Sequence, residues 1–250
     1  MWSFPPSRIL VPVDFGEASG RAVAVASALA SRVGGQLHLL HAEVLEVPAY
    51  FTHDQVRALE RERQLARSRA REFLRDFGQR HGVSQFTSRI DEGMPTAIIV
   101  DSAAEADMVV MGTHGRRGPA RWWIGSVAER VIHQSPAPVL VVRAGEDDLA
   151  AESVFERPMI MASSSADVGL ARRVAAGLAS AFGGHVADGT AACQADLARD
   201  RGATIVVVPG AARHGALHAH PAEHWLRSCP LPMLFIPGPV FKTAQPESLN

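Results

Sequence analysis

The segment MGTHGRRGPARWWIGS, residues 111–126, sets three glycines within seven positions behind an apolar run and ends in a Gly-Ser pair. Gly112 and Gly115 can take positive φ, so the backbone can turn successive N–H groups toward an anion with no Cβ in the way. After nine intervening residues, Gly125 and Ser126 open a predicted helix whose unpaired N–H groups and positive dipole end suit phosphate. A purely structural reading stands beside it: Gly112 and Gly115 as an ordinary turn, Ser126 and Glu129 as an S-x-x-E capping box. His114, Arg116 and Arg117 lie inside the loop, where they can give charge-assisted bonds to a β- or γ-phosphate or face solvent. Trp122 and Trp123 read as packing residues. Lys242 is the sole lysine, and no GxxxxGK[ST] occurs, which excludes a P-loop.

Such a loop works only if the fold carries it to a ligand. RILVPVD and QLHLLHAE are short β-type runs around an alanine-rich helix closed by Gly34 and Gly35, a βαβ unit. A long arginine-rich helix follows, with Thr52 and Gln55 as a capping box; its eight arginines face five acids, which predicts a solvated face rather than a nucleic-acid surface. SQFTSRI (strand), MPTAIIVDSAAEA (helix), DMVVMG (strand), a helix over about 126–134 and APVLVVR (strand) complete the series. Five strands alternating with four helices predict a mostly parallel sheet covered on both faces. If the first and fourth strands are neighbours, Pro12, Val13 and Asp14 share one crevice with Met111, Gly112, Thr113 and His114.

The pattern G112-x2-G115-x9-G125-S126, after DMVVM and before a helix and SPAPVLVV, resembles the nucleotide-binding motif of the universal stress protein family, in its ATP-binding subgroup. ILVPVDFGEAS resembles that family's first strand, and the likeness spans residues 7–143. It implies an open five-stranded parallel sheet of order 3-2-1-4-5 with helices on both faces. It further implies Asp14 on the ribose or adenine edge, Pro12 and Val13 beside the base, and Ala42 as another base contact. Met111 and Gly112 would line the pocket, and Gly115, Gly125, Ser126 and Val127 would hold the phosphates. Asp14 can alternatively cap the first helix.

The pattern then restarts. Shifting by 149 positions sets Val25, Leu29, Ala30, Ser31, Gly34 and Gly35 on Val174, Leu178, Ala179, Ser180, Gly183 and Gly184, and SPAPVLVV recurs as CPLPMLFI. We therefore divide the chain into a nucleotide-binding unit (1–145), an acidic linker (146–156), a shorter, degenerate repeat of the same fold (157–240) and a tail (241–250). The repeat lacks the long helix and one strand. Asp14 aligns with Ser163, Gly115 with Arg213, and Gly125 and Ser126 with Ala219 and His220; only Gly112 keeps a glycine, Gly210, so no nucleotide is expected there. His218, His220 and His224 could meet around zinc, but a scatter of surface histidines is the favoured reading, and no metal site is expected.

A net charge of −1 offers no global field for nucleic acid or membrane, and the two cysteines fit reduced thiols in a cytoplasmic protein. No signal peptide or apolar stretch of membrane-spanning length is read. The expected partner is an adenine nucleotide, ATP with or without Mg²⁺, in a stress-response or regulatory protein rather than an enzyme. Slow ATP hydrolysis and a nucleotide-free interaction scaffold are the alternatives. The family pairs through its last strands, so a homodimer or an intramolecular pseudo-dimer of VLVVR with MLFIP is expected.

Overall fold

The computed structural model describes residues 4–44, 53–113, 125–143, 149–161, 168–187, 190–191, 198, 200–211 and 229–237. Strand β1 (Arg8–Pro12) is followed by α1 (Glu17–Val33), β2 (Gln36–Glu43), α2 (His53–Arg80), β3 (Thr87–Glu92), α3 (Pro95–Ala103), β4 (Met108–Thr113), α4 (Ser126–Gln134) and β5 (Val139–Arg143). After a 3₁₀ turn (Glu152–Phe155) come β6 (Pro158–Met161), α5 (Val168–Ala181), β7 (Thr190–Ala191), β8 (Ile205–Ala211) and β9 (Met233–Pro237).

The described strands form one sheet in the order β3-β2-β1-β4-β5-β9-β8-β6-β7. Its first five strands have the expected order 3-2-1-4-5, all parallel. Both faces are covered. Leu29 of α1, Leu74 and Phe77 of α2 and Leu178 of α5 pack on one face, in one apolar cluster with Ile9 and Val110. Ile99 of α3 and Val131 and Ile132 of α4 pack on the other, with Leu10, Val109 and Val141. Burial on both faces is why β1, β4 and β5 are nearly continuous apolar runs rather than alternating ones.

Local chemistry sets the helix ends. Just past α1, Gly34 takes φ 74°, and the Gly35 N–H returns to the Ala30 carbonyl at 2.9 Å, a Schellman closure. The same geometry recurs 149 positions later, with Gly183 at φ 72° and the Gly184 N–H on the Ala179 carbonyl at 2.8 Å. Pro95 opens α3, where a missing N–H costs nothing. That helix ends at Ala103, three residues short of the predicted end at Ala106, as the Ala104 N–H turns back to the Asp101 and Ser102 carbonyls.

Between β5 and β9 the chain pairs with itself in antiparallel fashion. Leu140 faces Leu234, its own counterpart in the SPAPVLVV/CPLPMLFI match, while Val139 and Val141 face Phe235 and Met233. Likewise Arg32 donates through Nε to the carbonyl of Ala181, its counterpart at the 149-residue shift, and lies 5.9 Å over the Phe182 ring. Contacts of a residue with its own equivalent are what a two-fold, isologous arrangement produces. The acidic stretch between the halves is docked at its end: Val154 and Phe155 are fully buried, and the Phe155 ring lies 4.8 Å from that of Phe182.

Candidate functional site

The connections from β1 and β2 cross one face of the sheet and those from β3 and β4 the other, so the order in which strands are added reverses between the parallel β1 and β4. Ligands of open α/β sheets bind at that reversal, beyond the strands' carboxyl ends. Val13 is buried there, Pro12 half-buried and Asp14 exposed. On β4, Met111 and Thr113 are buried and Gly112 is half-buried. Ala42, half-buried on β2, lies two residues beyond Leu40, the register partner of Pro12. Gly125 and Ser126 are exposed at the start of α4, with Val127 half-buried behind them. His114, Gly115, Arg116, Arg117, Trp122 and Trp123 lie outside the described residues, as do His218, His220 and His224.

The end of β1 is held by contacts that the sequence did not announce. The Val13 N–H donates to the Leu40 carbonyl at 2.8 Å, and the Val13 carbonyl sits 2.8 Å from His41 Nδ1. A carbonyl only accepts, so His41 carries its proton on Nδ1 in this contact. Phe15 then turns the backbone through φ 63°, a left-handed conformation that costs a residue with a Cβ about 1–2 kcal/mol. Its ring packs on His41 (centroids 4.5 Å apart), Phe73 (4.8 Å) and Phe77 (5.6 Å). The turn brings the Gly16 N–H to Asp14 Oδ1 at 3.0 Å. Asp14 therefore braces the corner, whereas the N-cap of α1 is Gly16, with no side-chain bond, so the alternative of Asp14 as helix cap does not hold.

Two sequence readings on the phosphate side are corrected. Gly112 does not have positive φ; it continues β4, and an added Cβ would stand 2.3 Å from the carbonyl carbon and oxygen of Ala18. Its small size serves the close approach of β4 to the first turn of α1. Ser126 does not cap α4, because the N-cap is Gly125, and among the described residues no side-chain cap bond is made. The opening N–H groups of α4 lack intrahelical acceptors by geometry, and among the described residues no side chain caps them. What anchors this end is Thr113, whose buried Oγ1 accepts the Gly125 N–H at 3.0 Å and so ties the end of β4 to the start of α4.

The family model of the universal stress proteins matches residues 6–143, more than half of the chain. The chain belongs to the universal stress protein family. A universal stress protein of Mycobacterium tuberculosis is 32% identical over 139 residues, covering 54% of this chain and 45% of that relative. The chain thus spans about half the length of that relative. One from Thermus aquaticus is 32% identical over 142 residues, covering 54% of this chain and 97% of the relative. Among solved structures, a universal stress protein from Archaeoglobus fulgidus superposes with TM-score 0.68 at 17% identity, over 94% of this chain and 99% of its own, a likeness of fold.

Within this universal stress protein domain, Phe15, His41 and Arg143 had no role assigned from the sequence, and Thr113 was placed only in the crevice. Arg143 is the register partner of Thr113 and so stands at the base of the loop. Burial lowers its pKa, partly opposed by the Cys229 thiol. A polar residue directly after the strand-end glycine was the one signal that could have pointed to Thr113. His38 sits toward the opposite edge, where burial and then Arg8 lower its pKa, and it lies apart from the crevice.

Proposed function

We propose that this universal stress protein binds one adenine nucleotide per chain, ATP with or without Mg²⁺, at the β1–β4 crevice, and acts as a nucleotide-responsive regulatory protein. The observation that carries the reading is the uncapped, exposed start of α4, tethered by Thr113 to the end of β4 beside the sheet's reversal point. Unpaired N–H groups at a helix N-terminus favour phosphate oxygens. The Gly112, Gly115, Gly125 and Ser126 spacing supplies a loop able to reach them. Asp14, Pro12, Val13 and Ala42 would then take the nucleoside, and Gly115, Ser126 and Val127 the phosphates, with His114 and Arg116 adding charge.

In the same proposal residues 157–240 are a truncated second unit that binds no nucleotide. Contacts of Leu140 with Leu234 and of Arg32 with Ala181 support this internal pairing, as does the shared Gly34 and Gly183 geometry.

To test it, the protein is purified without added nucleotide, any bound small molecule is released with acid and identified, and ATP is titrated into the stripped protein beside a Gly115→Trp variant. One ATP per chain, lost in the variant, is the expected result. Two per chain would refute a silent second half, and no binding at millimolar ATP would leave the scaffold reading. Phosphate release in the same samples separates binding from slow hydrolysis.

A further inference from the structure

Among the described non-glycine residues, Phe15 alone has positive φ, and it follows Asp14 directly. Its ring is clamped from three sides, by His41 at 4.5 Å, Phe73 at 4.8 Å and Phe77 at 5.6 Å between centroids. Two of these partners belong to α2, and His41 also holds the Val13 carbonyl. Strained backbone persists only where its surroundings over-determine it, and it gathers at functional sites. Here the ring contacts do the determining, and the turn they hold is what brings the Gly16 N–H onto Asp14 Oδ1.

We propose that Phe15 is a positioning residue for the nucleotide site: clamped between β2 and α2, its ring holds the left-handed turn that fixes the Asp14 carboxylate at the end of β1. The role does not require Phe15 to touch the ligand. A residue acting through backbone geometry has a signature that packing alone lacks. Replacing it by glycine removes the ring but also removes the conformational penalty, whereas alanine removes the ring and keeps the penalty. At this φ a residue that merely fills space gives the same order in stability, but leaves ATP affinity and Gly16 protection alike in the folded variants.

This inference rests on the proposed nucleotide site for its affinity readout and on the free protein for its second readout. ATP is titrated into wild type, Phe15→Gly, Phe15→Ala and Phe73→Ala, and hydrogen exchange of the Gly16 amide is followed in each without nucleotide. Phe73 is half-exposed, so Phe73→Ala removes one side of the clamp with little loss of core. Expected is a ranking of wild type, then glycine, then alanine in both affinity and Gly16 protection. Glycine and alanine should differ by about tenfold, the scale of the left-handed penalty, and Phe73→Ala should weaken both readouts at unchanged stoichiometry. If alanine equals or exceeds glycine, or if Gly16 exchanges alike in all four proteins, the positioning role is overturned. If wild type binds no ATP but the Gly16 ranking holds, the clamp stands as a device of the β1 corner and the nucleotide reading is what fails.

Discussion

Thr113 illustrates how a small side chain can hold a large loop. Its buried hydroxyl accepts the Gly125 N–H across eleven intervening residues, so the end of β4 and the start of α4 meet on one side chain. Thr113→Val keeps the volume and removes the acceptor, and the expected loss is about 1 kcal/mol in urea denaturation. Thr113→Ser keeps the bond and should lose less. A loss in Thr113→Ser with none in Thr113→Val would mean that the methyl packing, not the hydroxyl, matters. The corner on the other side of the crevice follows a similar logic at a single position, with Asp14 oriented by the turn at Phe15 rather than by a helix cap.

At the scale of elements, the helix ends separate what sequence shows from what it hides. The Gly-Gly pairs after α1 and α5 were legible because only glycine adopts the left-handed conformation without strain, and two such pairs at one spacing mark two helix ends of the same kind. Gly34→Ala and Gly183→Ala are each expected to cost about 1 kcal/mol. Neither added Cβ would meet another atom within 4 Å, so the cost is conformational rather than steric. Asparagine at either position should recover part of it, and similar melting shifts for the two variants would check that the two closures are equivalent. The span of α4 was legible, but its cap was misread. Ser126 and Glu129 have capping-box spacing, but the helix begins one residue too early for Ser126 to serve, and Gly125 stands in the cap position. A one-residue difference in which residue is the cap matters where a cap and a ligand compete for the same N–H groups.

The whole molecule is one sheet rather than two separate ones, because β9 runs antiparallel beside β5 and covers the edge that β5 would otherwise expose. Leu140 and Leu234, both fully buried, sit at the centre of that junction, in one apolar cluster with residues of both halves. Leu234→Ala should therefore destabilise the protein by about 2–5 kcal/mol. The loss should appear in both halves together, read as simultaneous loss of amide protection at Val109 in β4 and Val207 in β8. Protection persisting at Val109 after Val207 has exchanged would mean that the halves unfold independently.

Sequence by itself determined the alternation of strands and helices, the 149-residue recurrence and the glycine spacing of the loop. Each of these is local: periodicity and glycine placement follow from backbone geometry within a few residues. Only the tertiary structure decided that Gly112 serves the approach of α1, that Thr113 ties the loop, and that Phe15 is held by rings from β2 and α2. Those contacts join residues far apart in the chain, and their energies depend on distances that no sequence pattern encodes. The same reason applies to the β5–β9 junction, where matching strands were visible but their register, with each central leucine against its counterpart, came only from the folded sheet.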